Sequence, residues 1–160
     1  FSFPRIISIL IIITKNDKYV LYLNRKGVAI MRNKTIRQSV TFNAKAHDVF
    51  EALMDSKKHS EFTGEPAKIG RKVGGKYTAY GDYMGGENLE IIPDKKIVQT
   101  WRSTDLPKNV VTITTYQFKQ EKGKTKLSFT HSGIPESQYE DFRKGWIDFY
   151  WTPLKAMFGK

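Results

Sequence analysis

The side chains able to do chemistry are few. His47, His59 and His131 are the only imidazoles, and no two of them stand at a spacing that would bring both to one metal ion. Each reads as a structural or surface histidine. Ser132-Gly133 offers a hydroxyl, but no Gly-x-Ser-x-Gly elbow surrounds it and no base is assigned, so it reads as a strand end. Gly74-Gly75-Lys76 places amides beside an ammonium, as a phosphate loop does, yet lacks the longer P-loop pattern and reads as a hairpin turn. The acidic pairs Glu87/Glu90 and Glu140/Asp141 have a spacing that puts neither on one inward face, so they read as solvated rather than as an acid and a base. The chain has no cysteine, which excludes disulfides, thiolate metal sites and cysteine nucleophiles and permits a reducing compartment. The expectation is a non-enzyme without cofactor or metal, with the cytoplasm as default location.

A second group has a different chemistry. Strand alternation and helical spacing direct the rings of Tyr77, Trp101, Phe129, Trp146 and Tyr150 toward one interior space. Two readings stay open. The rings fill a core, or they line a pocket for an apolar small molecule, oriented by tyrosine hydroxyls and indole N–H groups.

The elements that position these rings follow from periodicity. Gln38, Val40 and Phe42 alternate along Ile36–Phe42 as on a half-buried strand. Asn43 is placed to cap a helix whose apolar residues Ala46, Val49, Phe50, Leu53 and Met54 recur at spacings of three and four. A second short helix is expected over Ser56–Phe62, ended by Gly64 and Pro66. From Ala67 to Gly133, turns at Gly74-Gly75, Gly85-Gly86, Pro93-Asp94, 107–109 and 122–124 separate strands near 67–70, 75–83, 86–93, 96–103, 109–119 and 124–132. With the first strand this predicts a seven-stranded antiparallel sheet, since the connections are too short for parallel crossovers. Glu136–Phe158 carries apolar residues at helical spacing, with a kink expected at Pro153. So aromatic a helix needs the curved face of the sheet as its partner. The class is α+β.

The formal charge is +11, of which residues 1–35 carry +6 and the other 125 residues +5. Over that body the lysines scatter between turns and strands, as on a solvated surface, so nucleic acid is not the expected partner. The run 6–13 is strongly apolar but falls short of the about 20 residues of a membrane-spanning helix, and the polar residues 14–18 after it make a poor signal-cleavage site. Residues 1–35 therefore read as an extension outside the fold, and 36–160 as the domain.

Local sequence makes this order more specific. Gly74-Gly75-Lys76-Tyr77, the stretch 86–102 (GENLEIIPDKKIVQTWR), 130–135 (THSGIP) and 145–159 (GWIDFYWTPLKAMFG) resemble, in order, the C-terminal domain of the heat-shock protein 90 ATPase activators, a branch of the helix-grip superfamily. The resemblance covers roughly 36–160. It implies a helix-grip fold, in which the sheet wraps a long C-terminal helix and two short helices follow the first strand. It also implies a chaperone-associated role with a heat-shock protein 90 type partner. The superfamily's recurrent cavity implies the alternative, a carrier or sensor of an apolar small molecule. Eukaryotic activators of this kind add an N-terminal domain that residues 1–35 are too short to supply.

Overall fold

A computed structural model describes residues 8–13, 18–24 and 27–159, with side chains from Arg32 onward. The side chains of the apolar run and of the other basic groups before Arg32 lie outside the described residues.

The strands are β1 (Ser8–Ile13), β2 (Lys18–Asn24), β3 (Gly27–Phe42), β4 (Lys68–Ile69), β5 (Lys76–Ala79), β6 (Met84–Ile92), β7 (Lys96–Ser103), β8 (Thr112–Glu121) and β9 (Lys124–Pro135). They form one sheet in the order β1-β2-β3-β9-β8-β7-β6-β5-β4. All neighbours are antiparallel. The seven strands expected from Ile36 on are β3 to β9, and closure of β3 on β9 brings the first and last of them together. The first begins earlier than expected, at Gly27, and β2 and β1 pair outward from it.

Alternation drives β3: Ile36, Val40 and Phe42 are buried while Arg37, Ser39 and Thr41 face out. Helix α1 (Ala46–Met54) buries the predicted face, Ala46, Val49, Phe50, Leu53 and Met54. Its cap differs from expectation. Lys45, not Asn43, holds the cap position, and the first amide, Ala46 N, donates to Gln120 Oε1 on β8 at 2.8 Å. A distant strand thus satisfies the orphan donor. Helix α2 (Ser56–Thr63) is capped by Asp55, whose carboxylate accepts from Lys58 N, and ends at Gly64 in the left-handed region at φ 74°.

Among the strand limits that differ from the sequence reading, two have a backbone reason. β5 stops at Ala79 because Tyr80 and Gly81 both take positive φ, 51° and 65°. β8 starts at Thr112 because Arg102 Nη1 donates to the carbonyls of Pro107, Lys108 and Val110, holding 107–110 as a turn. Gly85 and Gly86, expected between strands, lie inside β6. A Cβ on Gly86 would stand 1.9 Å from the Thr100 carbonyl oxygen of β7, so glycine there permits close approach of two backbones.

The C-terminal helix crosses the concave face in three pieces: α3 (Tyr139–Trp146), a π turn (Ile147–Trp151) and α4 (Thr152–Met157). A kink was expected at Pro153; the irregularity falls on the turn before it. Proline has no N–H for the carbonyl four residues back, Phe149 O, and the Tyr80 hydroxyl donates to that carbonyl instead. Gln38 of β3 fastens the other side of the turn. Its Nε2 donates to Arg143 O at 2.9 Å, and its Oε1 accepts from Trp151 Nε1 at 2.6 Å.

Candidate functional site

The helix does not seal the sheet along its whole length. Between its first half and the β5–β7 region lies a cavity of about 810 Å³, walled by Met84, Trp101, Phe142, Trp146 and Tyr150. Tyr80, Tyr83, Phe149, Gln138 and the carboxylates of Glu65, Asp105 and Asp141 complete its lining. Phe142, Trp146 and Phe149 recur at four and three residues and so share a helix face, with Gly145 leaving a gap in that row. The volume lies within the range of about 300–1,000 Å³ typical of small-molecule sites.

The five aromatic residues singled out from the sequence divide. Trp101, Trp146 and Tyr150 stand on the cavity wall. Phe129 is behind it, packed on Trp146, Trp151 and Tyr116 at ring-centroid distances of 4.5, 5.0 and 5.0 Å. Tyr77 lies beyond Tyr150, and its hydroxyl donates to Thr100 O at 2.7 Å. Burial holds the Tyr77 and Tyr150 phenols well above their usual range.

Two buried histidines brace the wall. His131 is wholly buried. Its Nδ1 accepts from Trp146 Nε1 at 3.0 Å and its Nε2 lies 2.7 Å from Thr112 Oγ1. Thr112 gives its own proton to Trp101 O, so the ring must carry its proton on Nε2. Loss of solvation lowers its pKa to about 3. His59 bonds Leu53 O through Nδ1 at 3.2 Å, which requires the proton there, and its Nε2 accepts from the Tyr150 hydroxyl at 3.0 Å. Burial lowers its pKa to about 4, against a smaller opposing effect of the Leu53 carbonyl. Both imidazoles are thus neutral and have both nitrogens engaged, and they orient Trp146 and Tyr150.

The mouth is polar. Tyr83 donates to Asp105 Oδ2 at 2.6 Å, and Gln138 Nε2 donates to Asp105 O at 2.6 Å. Tyr80 is pushed up to about 12 by burial and then by the nearby Glu65 carboxylate, and Tyr83 to about 12 by burial and its bond to Asp105. Trp101 Nε1 is buried with no acceptor among the described residues. No group of three His, Asp or Glu able to hold a metal ion occurs among the described residues, and no helix there is long and apolar enough to cross a membrane.

Sequence reasoning missed Tyr80, Tyr83, Phe142, Phe149 and the three carboxylates. Helical spacing was available for Phe142 and Phe149. The others come from the turn after α2, the β5–β6 turn, the β7–β8 connection and the start of α3, and only the folded chain joins them.

Residues 43–159 match the family described as "Activator of Hsp90 ATPase homolog 1-like protein". The chain belongs to this family. The human "Activator of 90 kDa heat shock protein ATPase homolog 1" is 29% identical over 119 residues, 74% of this chain and 35% of that protein. The Dictyostelium discoideum "Activator of 90 kDa heat shock protein ATPase homolog" is 30% identical over 114 residues, 71% of this chain and 30% of that protein. The chain thus spans about a third of the length of these curated relatives. Among solved structures, an HSP90 activator from Plasmodium falciparum superposes with a TM-score of 0.73 at 25% identity, covering 78% of this chain and 96% of that one. The architecture is the helix-grip fold of Aha1-like proteins, as the motifs implied.

Proposed function

We propose that this domain is a non-enzymatic, chaperone-associated module of the cytoplasm that binds a heat-shock protein 90 type ATPase and shifts its conformational equilibrium. The observation that carries this reading is the family match over residues 43–159. Relatives named as activators of a 90 kDa heat-shock protein ATPase support the choice of partner. The exposed lysines Lys57 and Lys58 on α2 and Lys95 in the β6–β7 turn suit an acidic partner surface. Both buried histidines are bonded and neutral, which supports a role other than acid–base catalysis. The test is co-purification at low salt with the cognate chaperone and measurement of its ATPase rate. A complex and a changed rate are expected; neither appearing would refute the reading.

A second reading is favoured by the cavity itself: binding of a small molecule between sheet and C-terminal helix. Trp101, Trp146 and Tyr150 would contact it, with Tyr77 and Phe129 supporting that wall from behind. Native mass spectrometry of the protein from its own cells tests this. A stoichiometric small molecule is expected, and a uniformly empty protein would oppose it.

A further inference from the structure

We infer that the cavity takes an amphipathic organic cation, a small molecule with an ammonium group on an aromatic or branched apolar body. This rests on the small-molecule reading just given and names its ligand class.

The first ground is charge. The chain carries +11, yet every charged residue lining the cavity is acidic: Glu65, Asp105 and Asp141. The turn after α2, the β7–β8 connection and the first turn of α3 supply them. Among the described residues, none of the three is in an ion pair, while six other carboxylates pair with Lys, Arg or His elsewhere on the surface. Three like charges converging on a concave rim repel one another, and a bound cation relieves that repulsion. A neutral ligand would gain nothing from the arrangement, and an anion would be repelled.

The wall below the rim is the second ground. Trp101, Trp146 and Tyr150 present ring surfaces, whose negative faces attract ammonium groups and whose area suits an apolar body. Trp101, 3% exposed, also holds an indole N–H without an acceptor among the described residues. The size of the space, about 810 Å³, favours a whole small molecule over a single lysine or arginine side chain of a partner, which would leave most of it unfilled.

The test titrates the full chain at low salt with three naphthalene probes. These are dansylcadaverine, which carries an ammonium, neutral N-pentyldansylamide, which keeps the same five-carbon chain, and the anionic 1-anilinonaphthalene-8-sulfonate. The cation is expected to bind about tenfold more tightly than the neutral probe. In the double variant Asp105→Asn/Asp141→Asn, which keeps the acceptor for Tyr83 and leaves Glu65 and the aromatic wall in place, that preference should fall severalfold while the neutral probe binds as before. If neutral or anionic probe binds as well as the cation, or if the preference is undiminished in the double variant, the inference is overturned and the small-molecule reading stands. If none of the three binds, both fall.

Discussion

The Tyr80 hydroxyl donates to the Phe149 carbonyl oxygen, the acceptor whose helical partner would be the amide that Pro153 lacks. A defect in the C-terminal helix is thereby mended from the β5–β6 turn, which ties the helix to the far side of the cavity mouth. Tyr80→Phe should cost about 1 kcal/mol, the ordinary net worth of one such bond. In a Pro153→Ala background, where a backbone amide is restored, the same change should cost less. Urea unfolding of the four proteins of this double-mutant cycle reads the coupling, and strict additivity would show that the two residues act independently.

The two buried histidines predict an acid-sensitive fold. Their pKa values are lowered from 6.5 to about 3 for His131 and about 4 for His59, so the unfolded chain binds more protons than the native one below pH 6.5. Their contribution is therefore fully present above pH 6.5 and is lost as pH falls toward 4. The slope approaches about 1.4 kcal/mol per pH unit for each histidine. Unfolding free energies between pH 7 and 4.5 measure it. Long-range nitrogen NMR of native protein should show Nε2–H for His131 and Nδ1–H for His59 across that range; an imidazolium signal from either near pH 5.5 would contradict the assignment.

Gly86 is expected to be among the least replaceable residues of the sheet. Alanine there would set a Cβ 1.9 Å from Thr100 O, a backbone atom that cannot swing aside. Pairing of β6 with β7 must part locally, at a cost of about 1–3 kcal/mol or more. Gly123→Ala is the contrast: nothing lies within 4 Å of its Cβ, and its φ of 76° is the only obstacle. Thermal melts of the two variants should rank Gly86→Ala as the more damaged, with β6–β7 amides losing hydrogen-exchange protection.

Element order was legible from Ile36 onward because its signals are local: turn residues, alternation, and a helical row of rings. The cavity was legible only in half. Trp101, Trp146 and Tyr150 carry the pattern of inward residues, but pattern alone does not separate a ring on a cavity wall from one packed behind it, as Phe129 is. That distinction is set by where the helix crosses the sheet. Glu65, Asp105 and Asp141 look individually like solvated carboxylates, and their convergence is a property of two loops meeting the first turn of α3. Pro153 announces a carbonyl in need of a donor, that of Phe149, yet nothing in the sequence marks Tyr80, 69 residues before Phe149, as that donor. The Asn43 cap was misplaced for a like reason: a strand residue, Gln120, serves the helix start.

Residues 36–159 are proposed to fold without the segment before them. The family match begins at residue 43. β2 pairs with β3, Lys18–Asn24 against Gly27–Asn33. Beginning the chain at Met31 keeps the pairing of β3 with β9 and removes the strands outside it. A cooperative melt within a few degrees of the full chain is expected, whereas a broad transition or a large drop would place β1 and β2 within the cooperative unit. The shortened protein would also expose the β3 edge from Met31 to Asn33, which β2 otherwise pairs, and unpaired edges invite association. A concentration-dependent elution volume from the shortened protein, absent in the full chain, would show that these strands serve to cover that edge.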